Sequence, residues 1–242
     1  MKLEYTNTYL SLKLKCVNRK LKNEPVYYLN KRKDKPVIRY YDNGKRHEIQ
    51  SSSPRFKDVE RVYLDTQNLR MIKKQLESVP GVNPSVKIRT DIVPVISHDL
   101  YSRMIPKTDN SDGNHPYQHK QFYMRSRFEV AMAGVLDSLD LEYKYEPTII
   151  LNGYQVSPDF VVYLPEFDCC IIVECEGMTD EVSYVNRNGV KFAEYLYAGL
   201  VFGMTLVVLQ GDRTHMPSPE LMRNAVVSAI NVLSSHYALG VD

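Results

Sequence analysis

The 242-residue chain contains no apolar run approaching the ~20 residues that a membrane helix requires. Its opening, MKLEYTNTYLSLKLK, lacks the apolar core of a signal peptide. Both absences lead us to expect a cytoplasmic protein with no membrane partner. Cysteine is scarce: Cys16, Cys169, Cys170 and Cys175 form no CxxC pair, which favours buried reduced thiols over disulfides or metal ligands. Net charge is small, +2, but it conceals an asymmetry. Residues 1–125 hold 25 Lys+Arg against 13 Asp+Glu, whereas residues 126–242 hold 6 against 16. A basic half beside an acidic half suggests that the first grips a polyanion and the second holds cations; the alternative is two oppositely charged domains that attract each other.

What is present is organised around residues 157–177, SPDFVVYLPEFDCCIIVECEG. Two apolar runs, 160–164 and 169–173, flank the turn-forming Pro165-Glu166-Phe167-Asp168 and read as a β-hairpin. Alternation along the second strand puts Glu174 and Glu176 on one side and Cys175 on the other, with Asp159 within reach from the neighbouring strand. Carboxylates gathered this way repel one another and lose hydration, so a hard divalent cation, Mg²⁺ or Mn²⁺, is the expected cofactor.

Before this hairpin, residues 1–50 read as β structure. TYLSLKLKCV alternates, and two Tyr-rich runs are separated by charged turns, Asp42-Asn43-Gly44 being the strongest hairpin signal. Residues 57–78 repeat apolar positions at helical spacing up to Pro80-Gly81. Lys31, Arg32, Lys33, Lys35, Arg39, Lys45 and Arg46, interleaved with tyrosines, form a candidate nucleic-acid-binding segment; the competing reading is a solvated sheet face over core tyrosines. Residues 83–121 read as an irregular linker, with a strand in SVKIRTDIVPVI and a polar loop in KTDNSDGNHPYQHKQ. His115 and His119 have the spacing of helical metal ligands, but Pro116 and the loop composition argue against a zinc site.

From residue 122 the chain reads as helix (126–141, carrying Glu129), strand (143–151), Asn152-Gly153 turn and central hairpin. A polar stretch MTDEVSYVNRNG, a helix (190–200), a buried strand (204–210) and a helix (219–237) follow. The expected fold class is α/β, a mixed sheet flanked by helices, preceded by a small basic β-sheet-plus-helix domain. The expected domains are 1–82, a linker 83–121, and 122–242.

RSRFE, SPDF, IIVECEG and GVKFAEYLYAG, in this order over residues 125–210, resemble the PD-(D/E)xK nuclease superfamily. The nearest types are transposon-end endonucleases, phage endonucleases and Holliday-junction resolvases. Residues 24–78 resemble, by pattern alone, the small arm-site DNA-binding domains of tyrosine recombinases. The first resemblance implies a restriction-endonuclease-like fold and a Mg²⁺-dependent endonuclease acting on DNA, with branched, transposon or phage DNA among the candidate substrates. It also implies a bacterial or phage-infected cell, and partners that include a second copy or recombination proteins. It assigns Glu129, Asp159, Glu174 and Glu176 as metal ligands and Lys191 as the charge-stabilising cation. One departure matters: the family's lysine stands two residues after the strand acid, where this chain has Glu176. Lys191, on the following helix, is the candidate replacement. A non-catalytic nucleic-acid-binding or assembly protein, and an RNA-directed nuclease, are the competing functions.

Overall fold

The structure is a computed structural model that describes residues 3–110, 113–178, 180–212 and 214–239, without the side chains of 183–185 and 187. The predicted polar stretches at 107–121 and 178–189 therefore lie partly outside the described residues. Two compact units form, one from residues 10–86 and the other from residues 1–9 and 87–242. The division falls inside helix α1 (Asn7–Asn23), so the first nine residues group with the second unit, although the sequence reading places them in the first domain.

α1 corrects the expectation of a strand over TYLSLKLKCV. Tyr9, Leu12 and Cys16 recur at i, i+3 and i+7 and are buried, and Leu and Lys are strong helix formers. Alternation over so short a stretch satisfies both periods. Strands β1 (Tyr27–Arg32), β2 (Lys35–Asp42) and β3 (Lys45–Gln50) form an antiparallel sheet. Its two turns place Lys33 and Asp34, and Asn43 and Gly44, at positive φ, the backbone that tight hairpins demand. Tyr27, Ile38, Tyr40 and Ile49 alternate onto Phe56, Val59, Val62 and Tyr63 of helix α2 (Phe56–Glu77).

The second unit continues with β4 (Lys87–Ile88), α3 (His98–Arg103), β5 (Tyr117–His119), β6 (Phe122–Met124), α4 (Arg127–Ser138) and β7 (Glu142–Tyr145). Then come β8 (Ile149–Leu151), β9 (Tyr154–Val156), β10 (Phe160–Leu164), β11 (Cys169–Glu176), α5 (Val182–Tyr197), β12 (Leu206–Gln210), α6 (Pro219–Tyr237) and β13 (Ala238–Leu239). The four-stranded sheet runs β12-β11-β10-β7, parallel between β11 and β12 and antiparallel elsewhere. On one face Val161, Cys170, Ile172 and Leu206 pack against Tyr101 of α3 and Tyr195 of α5. On the other, α4 meets β11 and α6 meets β12. Covered on both faces, β11 is buried at every position. The class is mixed α/β.

Three further expectations are corrected. The strand predicted in SVKIRTDIVPVI reduces to β4, which pairs with two residues, Ala238 and Leu239, of β13. The strand predicted over 143–151 is two, β7 and β8, broken where Glu146 takes φ 39° before Pro147. The helix predicted from 190 starts at Val182, so Asn188 and Gly189 are helical despite their weak propensity. All four cysteines are buried. Among the described residues no helix is long and apolar enough to cross a membrane.

Candidate active site

The β10–β11 register pairs Phe160 with Val173, so Asp159, the residue before β10, falls beside Glu174. Alternation sends Glu174 and Glu176 to the α5 face, in line with Cys170 and Ile172. The Cys175 N–H donates to Asp159 Oδ2 at 2.7 Å and ties the two strand ends together. A cavity of about 840 Å³ opens here, lined by Asp159, Glu174, Glu176 and Lys191, with Arg125 and Glu146 at its side.

Glu174 has no solvent exposure. Lys191 Nζ donates to its Oε2 at 2.7 Å and the Tyr195 hydroxyl to its Oε1 at 2.6 Å, the two donors standing one helical turn apart on α5. Burial, and then the charge of Asp159, push the Glu174 carboxyl up to about 8. Burial pulls Lys191 down, but Glu174 and Asp159 outweigh it and hold the ammonium above the ordinary lysine range. Glu176 accepts from Asn188 Nδ2, also on α5.

Asp159 Oδ1 accepts from Arg125 Nη2 at 3.2 Å, and the same guanidinium is paired with Glu146. Glu146 Oε2 meets the buried His115 Nε2 at 2.8 Å. Burial opposes the Arg125 charge, yet Glu146 first and Asp159 next more than restore it.

Glu129 does not line the cavity. Its Oε2 accepts from the Arg125 N–H at 2.9 Å and from the Tyr145 hydroxyl at 2.7 Å. Ser126 caps α4 by accepting from Glu129 N–H at 3.1 Å. Ser126 and Glu129 thus stand at capping-box spacing, with the glutamate reaching back to the residue before the cap. Burial, then Asp159, raise the Glu129 carboxyl. Glu129 is a support for the Arg125 segment as well as an acid close to Asp159.

In chemistry the donors fit a hard divalent cation: Asp159, Glu174 and Glu176 offer only carboxylate oxygens to one cavity. In arrangement they are not a ready cage. Among the described residues no three acidic, histidine or cysteine side chains are gathered closely enough to hold a metal. The oxygens face Lys191, Tyr195, Asn188 and Arg125, and a cation entering here exchanges some of these contacts for its own. His115 and His119 point to separate partners, Glu146 and Asp137.

The seven cations of the first unit do not form one patch. Arg32, Arg39 and Arg46 converge on a single carboxylate, Glu48, at 3.2, 2.9 and 3.0 Å. Strand alternation places them and Lys35 on the sheet face opposite α2, with the half-exposed Tyr28 and Tyr41, although Val37 on that face is buried. Lys31 and Lys45 alternate to the α2 side, and Lys33 sits in a turn.

Sequence reasoning missed Arg125, Glu146 and Asn188. Arg125 lies inside RSRFE and could have been found from its place just before a capping serine. Glu146 and Asn188 carry no local signal. Comparisons with protein families, with curated proteins and with solved structures give no match to this chain.

Proposed function

We propose that this chain is a divalent-metal-dependent endonuclease of the PD-(D/E)xK kind that hydrolyses phosphodiester bonds in DNA. One observation carries the reading: a lysine from the helix after the acidic strand, Lys191, reaches Glu174 at 2.7 Å within the cavity that Asp159 and Glu176 also line. That is the support expected if the lysine has moved from position 176 to the helix. The succession α4, β7, β10, β11, α5, β12 around a mixed sheet supports a restriction-endonuclease-like fold.

Asp159 and Glu174 would hold a Mg²⁺ or Mn²⁺ ion, with Glu176 beside them; such an ion polarises the phosphate and lowers the pKa of a bound water. Lys191 offers its ammonium to the charge that develops on the scissile phosphate. Glu176 orients the attacking water. Glu129 fixes the Arg125 backbone, and Arg125 holds Asp159 in place. The cations on the sheet of the first unit contribute sequence-independent attraction to nucleic acid.

The test is incubation of the full chain with supercoiled plasmid and branched DNA in Mg²⁺, Mn²⁺ or EDTA. Cleavage is expected with either metal and not with EDTA, and Glu174→Ala should be inactive. An inert wild type, or full cleavage by Glu174→Ala, would refute the proposal. Preferential cutting of a matched RNA strand would reassign the substrate.

The non-catalytic reading is favoured by one observation, the protein partners already on Glu174, Glu176 and Asp159. Calorimetric titration with Mn²⁺ separates the two: binding abolished by Asp159→Asn supports the nuclease, and no binding supports the assembly protein.

A further inference from the structure

Asp159 and Glu146 are cross-strand neighbours. The β7–β10 register pairs Tyr145 with Phe160, and one step further along it the Glu146 N–H donates to the Asp159 carbonyl at 2.9 Å. Like charges placed directly opposite on neighbouring strands repel, so this end of the sheet needs a cation between its two carboxylates. Arg125 supplies it: Nη2 meets Asp159 Oδ1 at 3.2 Å and is paired with Glu146 Oε1 as well.

The three groups are not held equally. Glu146 is backed from behind, its other oxygen meeting Nε2 of the buried His115 at 2.8 Å. Asp159 is fixed through Oδ2 by the Cys175 N–H at 2.7 Å, so its place does not depend on Arg125 alone. Arg125 has the most room, its side chain 48% exposed against 10% for Glu146 and 7% for Asp159. Of the two carboxylates, Glu146 contributes more to keeping the guanidinium charged. The guanidinium can therefore leave Asp159 and still keep a carboxylate partner.

We propose that Arg125 is a built-in competitor of the divalent cation for Asp159 Oδ1, and that Glu146 sets how strongly it competes by drawing the guanidinium to its own carboxylate. The inference rests on the metal-binding part of the nuclease reading and concerns two residues outside the ligand set of that reading. Two cations close to one carboxylate oxygen repel each other, so uptake of a divalent ion at Asp159 has to move the Arg125 charge aside. Glu146, held by His115, is where that charge goes. Glu146 is thus a positioning residue: it acts on the metal site through Arg125 and not as a ligand.

Calorimetric titration of the full chain with Mn²⁺, run as a double-mutant cycle, tests this. Arg125→Gln removes the competing charge, keeps the backbone N–H that Glu129 accepts, and should tighten Mn²⁺ binding several-fold. Glu146→Gln keeps a polar partner for His115, leaves the guanidinium to Asp159, and should weaken binding several-fold. In the Arg125→Gln background the same Glu146→Gln change should alter affinity much less, because the group through which it acts is gone. Weaker or unchanged binding by Arg125→Gln overturns the inference. An equal loss from Glu146→Gln in both backgrounds also overturns it, since that is the result of direct ligation or of plain long-range attraction. Thermal melting without metal checks the fold of each variant, and Arg125→Met, which keeps the aliphatic stem, replaces Arg125→Gln if the latter does not fold. If the wild type binds no Mn²⁺, the metal reading falls and this inference with it; if it binds and both single variants match it, only this inference falls.

Discussion

Glu174 is a buried acid whose two oxygens each accept from one protein donor, and its neighbours decide what it can do. A carboxylate with no exposure is costly to keep charged, and Lys191 and Tyr195 offset that cost from a single helix face. Lys191→Met should lower metal-dependent cleavage by about 10²-fold or more, the usual effect of losing one preorganised charge-stabilising donor. Lys191→Arg should restore part of it, and cleavage by Lys191→Met within a few-fold of wild type would remove Lys191 from the proposed mechanism. Tyr195→Phe leaves Glu174 Oε1 without its hydroxyl donor and should cost about 1–3 kcal/mol of stability. Thermal melting of the three variants beside the wild type distinguishes a folding defect from a chemical one. The place of Lys191 on a helix after the acidic strand made it legible as a candidate; the Tyr195 hydroxyl one turn further on is seen at Glu174 only in the fold. Arg125, Glu146 and His115 meet from three separate loops, and nothing in a linear sequence announces that they meet.

At the level of elements, legibility followed how many independent signals agreed. The central hairpin had apolar runs, turn residues and acids at alternate positions, and β10 and β11 formed as an antiparallel pair. The Tyr-rich sheet had Asn43-Gly44 to fix one turn. α1 had only alternation, which a helix with a wide buried face also satisfies, and β7 and β8 were one apolar run until Pro147 was given its backbone consequence. The cations of the β1–β3 sheet were legible as a group, but not the carboxylate that gathers three of them. Arg39 foremost, with Arg32 and Arg46, holds the Glu48 carboxyl below its ordinary range, so it stays charged at neutral pH and competes with any phosphate for the three guanidinium groups. Glu48→Gln should therefore strengthen non-specific DNA binding and steepen its salt dependence, by about 0.9 in the log–log slope for each guanidinium that gains a phosphate. Fluorescence anisotropy across a salt series measures both; an unchanged slope would mean that this face does not touch the backbone of the nucleic acid.

On the scale of the molecule, the unit that carries the acidic cavity is discontinuous in sequence. It draws in residues 1–9, separated from its remainder by the whole of residues 10–86. The attachment is specific. Asn224 Oδ1 accepts from Leu3 N–H at 2.7 Å, Asn231 Oδ1 from Thr6 N–H at 2.9 Å, and Asn231 Nδ2 donates to the Glu4 carbonyl at 3.0 Å, all on α6. Tyr9 is buried, its ring 4.5 Å from that of Tyr5 and 6.3 Å from that of Phe167, which sits in the turn of the central hairpin. The chain start thus packs against the same hairpin that presents Asp159 and Glu174, and a boundary drawn at residue 82 would cut this strap away. Tyr9→Ala should lower the unfolding free energy by roughly 3–5 kcal/mol, the range for deleting a large buried aromatic side chain. Asn231→Ala should cost about 0.5–1.5 kcal/mol, the net worth of a typical hydrogen bond, because water reaches both backbone groups it leaves behind. Urea denaturation measures both. If Tyr9→Ala costs less than about 1 kcal/mol, within the ordinary scatter of point substitutions, residues 1–9 are an appendage; a loss in the expected range makes them part of the scaffold that holds the acidic cavity.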